Sequence, residues 1–299
     1  MLRRNVLIFH NAALGDFLMT FPLARALGRL LAQSRVIYVT SQQKGRLAER
    51  LIGTEFSDIE LGWHALHGGA ALTDVATRVL QSTHSAIVFS QTPDDAFVQR
   101  IRSVAGADTP VLQIAPNPPP GVSVVDHQLS QLSQSPSLLE GVRQMRDVIA
   151  SRGLTSSISQ GPVLIHPGSG SLRKNWPLES FVKVAEALRD AGRDVRVVIG
   201  EVEQEQRLNA IAHAFADVAR VDFCPTLFSL CDKIMAARAF IGNDTGPTHL
   251  AAMLGRRAIG IYGPASDAVA WAPVGPDVHV LPFSASTDEV ATLASFARN

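Results

Sequence analysis

Short apolar runs alternate along the chain with longer segments in which apolar residues recur every three or four positions. Val6-Leu-Ile-Phe9 is a run without alternation, the pattern of a strand covered on both faces. Leu14, Phe17, Leu18, Phe21, Leu23 and Leu27 then begin a helical period. The unit recurs: Arg35 to Thr40 precedes a helix from about residue 44, and Ser85 to Ser90 precedes one from about residue 94. Ser137 to Arg152, with Leu139, Val142, Met145, Val148 and Ile149 on one face, closes this first series. A second series opens at Pro162, with strands over 163–165, 195–199, 239–241 and 258–262 and helices near 178–191, 203–215, 226–237 and 246–254. Thr287 to Ala297 reads as a final helix. Pro116-Asn-Pro-Pro-Pro-Gly121 is a loop, because its prolines remove donors and fix the backbone. Gly153 to Gly161, poor in apolar residues, suits a linker. Strands alternating with helices predict parallel sheets covered on both faces, here in two Rossmann-like domains, 1–155 and 162–299.

Composition narrows the partners. Of 299 residues, 46% are hydrophobic and 18% charged, with 27 basic residues against 27 acidic. Up to residue 160 there are 14 basic and 12 acidic residues, and beyond it 13 and 15, so neither half carries the basic footprint of a nucleic-acid binder. A small patch could still touch the inner membrane. No run reaches the roughly 18 apolar residues that cross a bilayer. The basic start Met1-Leu-Arg-Arg precedes too short an apolar run for a signal peptide, so the expected location is the cytosol. Cys224 and Cys231 read as one helical stretch, roughly 10 Å apart at 1.5 Å per residue, too far for a disulfide, and as buried thiols of a reducing compartment.

Three segments carry candidate chemistry, each directly after an apolar strand, where open parallel sheets hold their ligands. In Ala13-Leu-Gly-Asp-Phe-Leu-Met-Thr-Phe-Pro22, Gly15 permits close approach of a ligand and Asp16 opens a helix; taken alone, Asp16 is an ordinary first-turn acid. In His166-Pro-Gly-Ser-Gly-Ser-Leu-Arg-Lys-Asn-Trp-Pro177, Gly168, Ser169, Gly170 and Ser171 offer N–H groups and hydroxyls without bulk. Arg173 and Lys174 add positive charge there, a combination suited to phosphate. In Asn243 to Gly255, Asp244-Thr245-Gly246 leads into a helix with Pro247 near its first position, so the positive dipole end and the Thr245 hydroxyl suit phosphate. Asp244 would repel phosphate and better suits sugar hydroxyls or the turn itself. His249 could face ligand or core, and core is the default. His64 and His67 lack a third metal ligand, and no Asp-x-Asp, Gly-x-Gly-x-x-Gly or Gly-x-Ser-x-Gly motif occupies a place where it would matter.

Taken in order, Leu14-Gly-Asp16 with Pro22, His166-Pro-Gly168 with Lys174-x-Trp-Pro177, and Asp244-Thr-Gly-Pro-Thr-His249 with Tyr262-Gly-Pro264 resemble glycosyltransferase family nine, the heptosyltransferases of the lipopolysaccharide inner core. The resemblance implies a GT-B fold, two doubly wound domains facing a cleft, with the acceptor on the first and the nucleotide-sugar on the second. It implies a cytoplasmic, inverting enzyme with no metal and no cofactor beyond its substrates, using ADP-heptose or a related donor and a glycan or glycolipid acceptor. Asp16 would be the general base; Thr245, Gly246, Ser169 and Lys174 would hold the diphosphate, Lys174 also acting in catalysis by offsetting charge on the leaving nucleotide, with Gly170, Ser171, Asp244 and His249 among the donor-binding residues. Adenine contacts fall near Pro225-Thr226-Leu227, and the ribose-binding acid falls near Gln204, flanked by Glu203 and Glu205. The chain departs from the family at His10, where a basic residue is usual, and at Gln204. Two other functions share these features: a sugar-nucleotide epimerase of the same architecture, and a non-catalytic nucleotide-sugar-binding module.

Overall fold

The computed structural model describes residues 4–68, 70–155 and 159–296, with only the backbone of 202 and 206. The basic start at Met1 to Arg3, the middle of the expected linker and the end of the expected final helix at Ala297 lie outside the described residues. The chain forms two compact units, Met1–Arg146 and Asp147–Asn299.

In the first unit, β1 (Asn5–Phe9), α1 (Leu14–Leu18), α2 (Phe21–Leu30), β2 (Arg35–Thr40), α3 (Gln42–Ile52) and β3 (Glu55–Asp58) are followed by a 3-10 turn at Trp63–His67. Then come α4 (Asp74–Gln81), β4 (Thr83–Phe89), α5 (Asp95–Ala105), β5 (Val111–Ile114), α6 (Val124–Ser130) and α7 (Pro136–Arg152), the last running across the division between the units. The sheet has the order β3-β2-β1-β4-β5, with every neighbouring pair parallel. All five residues of β1 are buried, as its continuous apolar run predicts. Leu7, Phe9, Ile37, Val39 and Val88 pack on one face against Trp63, Leu66, Phe97 and Ile101.

The second unit runs β6 (Val163–His166), a 3-10 turn at Leu172–Lys174, α8 (Leu178–Asp190), β7 (Val195–Ile199), α9 (Glu201–Phe215), β8 (Arg220–Phe223), α10 (Leu227–Ala236), β9 (Ala239–Asn243), α11 (Gly246–Met253), β10 (Arg257–Tyr262), β11 (Val278–Pro282) and α12 (Thr287–Ser295). Its sheet is also wholly parallel, in the order β11-β10-β9-β6-β7-β8. That is the doubly wound arrangement in which the chain leaves its first strand in one direction and later resumes on the other side, opening a crevice between β6 and β9. The equivalent reversal in the first unit falls between β1 and β4.

Two expectations change. Cys224 and Cys231 are both buried free thiols, but they do not share a helix: Pro225 biases Cys224 away from helical geometry, and Thr226 caps the start of α10 beyond it. The stretch expected to link the domains falls, where it is described, within the second unit. Leu154 N–H donates to Met253 O at 2.7 Å, Thr155 Oγ1 donates to Leu254 O at 2.5 Å, and Ser159 Oγ donates to Ala236 O at 2.5 Å, so these residues are laced to the second unit.

Candidate functional site

In the second unit the two phosphate-suited loops leave neighbouring strands, for His166 of β6 pairs with Gly242 of β9. Their junction is held by Asn243, which is fully buried. Its Nδ2 donates to Pro167 O at 3.1 Å and Gly168 O at 3.0 Å, while its Oδ1 accepts from Trp176 N–H at 2.8 Å. One side chain thus fixes both ends of the His166–Pro177 loop to the end of β9. Thr248 Oγ1 donates to Asn243 O at 2.7 Å, tying in the first turn of α11.

On this junction sits a charged clasp. Lys174 Nζ lies 2.7 Å from Asp244 Oδ2, and His249 Nε2 lies 3.8 Å from Asp244 Oδ1. Burial pushes the Asp244 carboxyl upward, but the nearby His249 ring, the Lys174 hydrogen bond and the Lys174 charge outweigh it and hold the pKa at about 2. Burial and then the Asp244 charge push the Tyr262 phenol up, and its hydroxyl donates to Trp271 O at 2.8 Å. Asp244 is therefore a buried anion that orients a half-buried ammonium. Thr245 stands at the N-cap position of α11 without a side-chain capping bond, and the helix N-terminus presents the positive end of a helix dipole to the same crevice. Ser169 Oγ is engaged within its own loop, donating to Ser171 O at 2.5 Å, and Gly170 and Ser171 are exposed.

A second buried pair braces the glycine turn. The Glu203 carboxylate accepts from Gly200 N–H at 3.0 Å and lies 3.6 Å from His166 Nε2. Burial opposes ionisation of Glu203, yet the His166 contact and the Gly200 N–H hold its pKa at about 2. A Cβ at Gly168 would stand 2.0 Å from Glu203 Oε1, so the loop needs glycine there. Sequence reasoning passed over Glu203 as a flank of Gln204; the available signal was a glutamate three residues after the Gly200 that precedes a helix.

Ser169, Gly170, Ser171, Lys174, Asp244, Thr245, Gly246 and His249 thus gather at the β6/β9 crevice. Gln204, exposed in the first turn of α9, and Thr226 and Leu227 at the start of α10 follow β7 and β8 instead. They continue the same carboxyl edge outward, roughly 5 Å per strand. Gln204 has no buried partner role; the inward-turned acid is Glu203.

In the first unit, β1 runs into buried His10 and then a short loop to α1, which holds Asp16 half-buried in its first turn. The helix is anchored by Phe17, whose ring lies 4.8 Å from Tyr38, and by Thr20, whose hydroxyl is 2.7 Å from the Tyr38 hydroxyl. Burial, and secondarily the charge of Lys44, lower the His10 pKa to about 4, so this ring is neutral at physiological pH. His67 Nδ1 lies 3.7 Å from Asp94 Oδ2, which accounts for its polar contact at the protein surface.

Comparison with known proteins shows the family. A sequence model described as Glycosyltransferase family 9 (heptosyltransferase) matches residues 80–291. The chain is similar to lipopolysaccharide heptosyltransferase 1 of Escherichia coli (strain K12), 31% identical over 93 residues that cover 30% of this chain and 28% of that protein. It is also similar to lipopolysaccharide heptosyltransferase 3 of Escherichia coli, 30% identical over 125 residues, 40% of this chain and 35% of that one. These matches span about a third of the length of the curated relatives. Among solved structures, a glycosyl transferase family 9 protein from Veillonella parvula DSM 2008 superposes with a TM-score of 0.69 at 17% identity, covering 93% of this chain and 86% of that one. E. coli heptosyltransferase WaaC with ADP superposes with a TM-score of 0.67 at 15% identity, covering 96% and 98%. At these identities the likeness is one of fold, which is GT-B.

Proposed function

The chain belongs to glycosyltransferase family 9, and from that premise we propose that it is an inverting, metal-independent glycosyltransferase. It moves a heptose or a related sugar from a nucleotide-sugar to a lipopolysaccharide-core or other glycan acceptor. What supports the reading is the clasp of Lys174, Asp244 and His249 beside the N-terminus of α11, at the crevice where doubly wound sheets bind nucleotides. Two similar solved structures are described as containing ADP and ADP-2-deoxy-2-fluoro heptose, so ADP-heptose is the first donor to test. The enzyme works in the cytoplasm, where both substrates would be met at the inner face of the membrane.

In the proposed reaction an acceptor hydroxyl gives its proton to the Asp16 carboxylate. The acceptor oxygen attacks the anomeric carbon opposite the leaving group, the anomeric C–O bond to phosphate breaks, and its electron pair departs with the nucleoside diphosphate. Lys174, the α11 N-terminus and the Ser169–Ser171 turn offset the growing charge; Gln204, Thr226 and Leu227 contact the nucleoside. Replacing Asp16 with Asn should lower transfer by about 10²–10⁴-fold while donor binding, read by calorimetry, stays near that of the parent protein. Substantial remaining turnover would remove Asp16 as base. Nucleotide and metal dependence are read together by thermal shift with ADP-, GDP-, UDP- and dTDP-sugars, with and without chelator; stabilisation that vanishes with chelator sinks the metal-independent reading.

A further inference from the structure

We propose that Lys44 is a positioning residue for Asp16, pinning the loop that leads into its helix and supplying the positive field in which that carboxylate works. The inference rests on the reading of Asp16 as base. The loop from His10 to Ala13 is tied to the connection between β2 and α3 from two sides. Asn11 Oδ1 accepts from Ser41 N–H at 3.0 Å and from Thr40 Oγ1 at 3.4 Å, and Lys44 Nζ donates to Ala12 O at 2.7 Å.

Lys44 lies in the first turn of α3, where the helix dipole disfavours a cation, and it is half-buried. A lysine in such a place needs compensation from neighbouring acceptors. Ala12 O is one such acceptor, and the Asp16 charge is another: burial lowers the Lys44 pKa while Asp16 opposes that fall. His10, just beyond β1, and Asp16 in α1 are titratable groups that act on Lys44, and since His10 is held neutral at working pH by burial, it adds no charge there. The positive charge at this turn is carried by Lys44, from a different element than the loop it serves.

The test compares K44M and K44R, each in the parent protein and in H10F, which keeps an aromatic ring against Phe89 but has no proton to exchange. K44M should lower kcat about tenfold with the donor KM unchanged. It should also move the acid limb of the kcat/KM profile upward by on the order of one pH unit, because a carboxylate that loses a nearby cation ionises less readily. K44R should restore most of both, and the displacement should persist in H10F, which assigns it to Asp16. An unchanged rate and limb, a rate loss with an unmoved limb, or no rescue by arginine each overturns the inference. Failure of the underlying reading is distinguished by D16N: if that variant stays active, Asp16 is not the base whatever Lys44 does.

Discussion

At the scale of single residues, the two buried acids of the second unit matter because both are held ionised against burial. Asp244 and Glu203 each have a folded pKa of about 2, below their ordinary values of 3.8 and 4.5. A depressed carboxyl contributes stability above its unfolded pKa and loses it as pH falls toward the folded pKa. Urea unfolding measured between about pH 4.5 and 2 should therefore show stability falling with acid, and D244N and E203Q should each flatten that slope. A slope unchanged in both variants would mean that other carboxyls govern acid unfolding. The two acids were not equally legible. Asp244 stood in a recognisable motif, but its function as the clasp for Lys174 depends on a contact between residues 70 positions apart. Glu203 had only local capping grammar to mark it, and its approach to Gly168 is a tertiary fact.

Among the elements, the legible strands were the interior ones. β1, β2, β4, β6, β7, β9 and β10 are flanked on both sides, and their sequences are continuous or nearly continuous apolar runs. β3, β5, β8 and β11 were missed, and all four are sheet edges. Their sequences, Glu-Phe-Ser-Asp, Val-Leu-Gln-Ile, Arg-Val-Asp-Phe and Val-His-Val-Leu-Pro, mix polar and apolar residues because an edge meets solvent along one side. Helix ends were better marked. α3, α7, α8 and α11 are each followed within two residues by a glycine of positive φ, at Gly53, Gly153, Gly192 and Gly255. Two of these separate backbone strain from crowding. At Gly192 an added Cβ meets nothing, whereas at Gly153 it would lie 2.6 Å from Gly255 Cα. G192A should cost about 1–2 kcal/mol in urea unfolding, the left-handed penalty alone, and G153A distinctly more. Equal losses would show that the Gly153–Gly255 approach relaxes freely.

For the molecule as a whole, each unit holds a buried apolar cluster of its own among the described residues. The cluster around Leu7, Phe9, Val39 and Phe97 shares no residue with that around Ile165, Phe181, Leu188 and Ile241. All the donor-side candidates belong to the second unit, and Asp16 and Lys44 to the first. Chains built this way commonly depart from two-state unfolding, and a ligand stabilises only the unit whose folded form binds it. Two calorimetric transitions are expected. L7A, a buried leucine-to-alanine change that costs roughly 2–5 kcal/mol, should lower one of them, and L188A the other. ADP at about 100 times its Kd should add about 2.7 kcal/mol to the transition that L188A lowers, leaving the L7A-sensitive one in place. If ADP instead raises the L7A-sensitive transition, the nucleotide belongs to the first unit and the division of labour proposed for the two sheets is reversed. A single transition moved by both variants would show that the cores unfold as one.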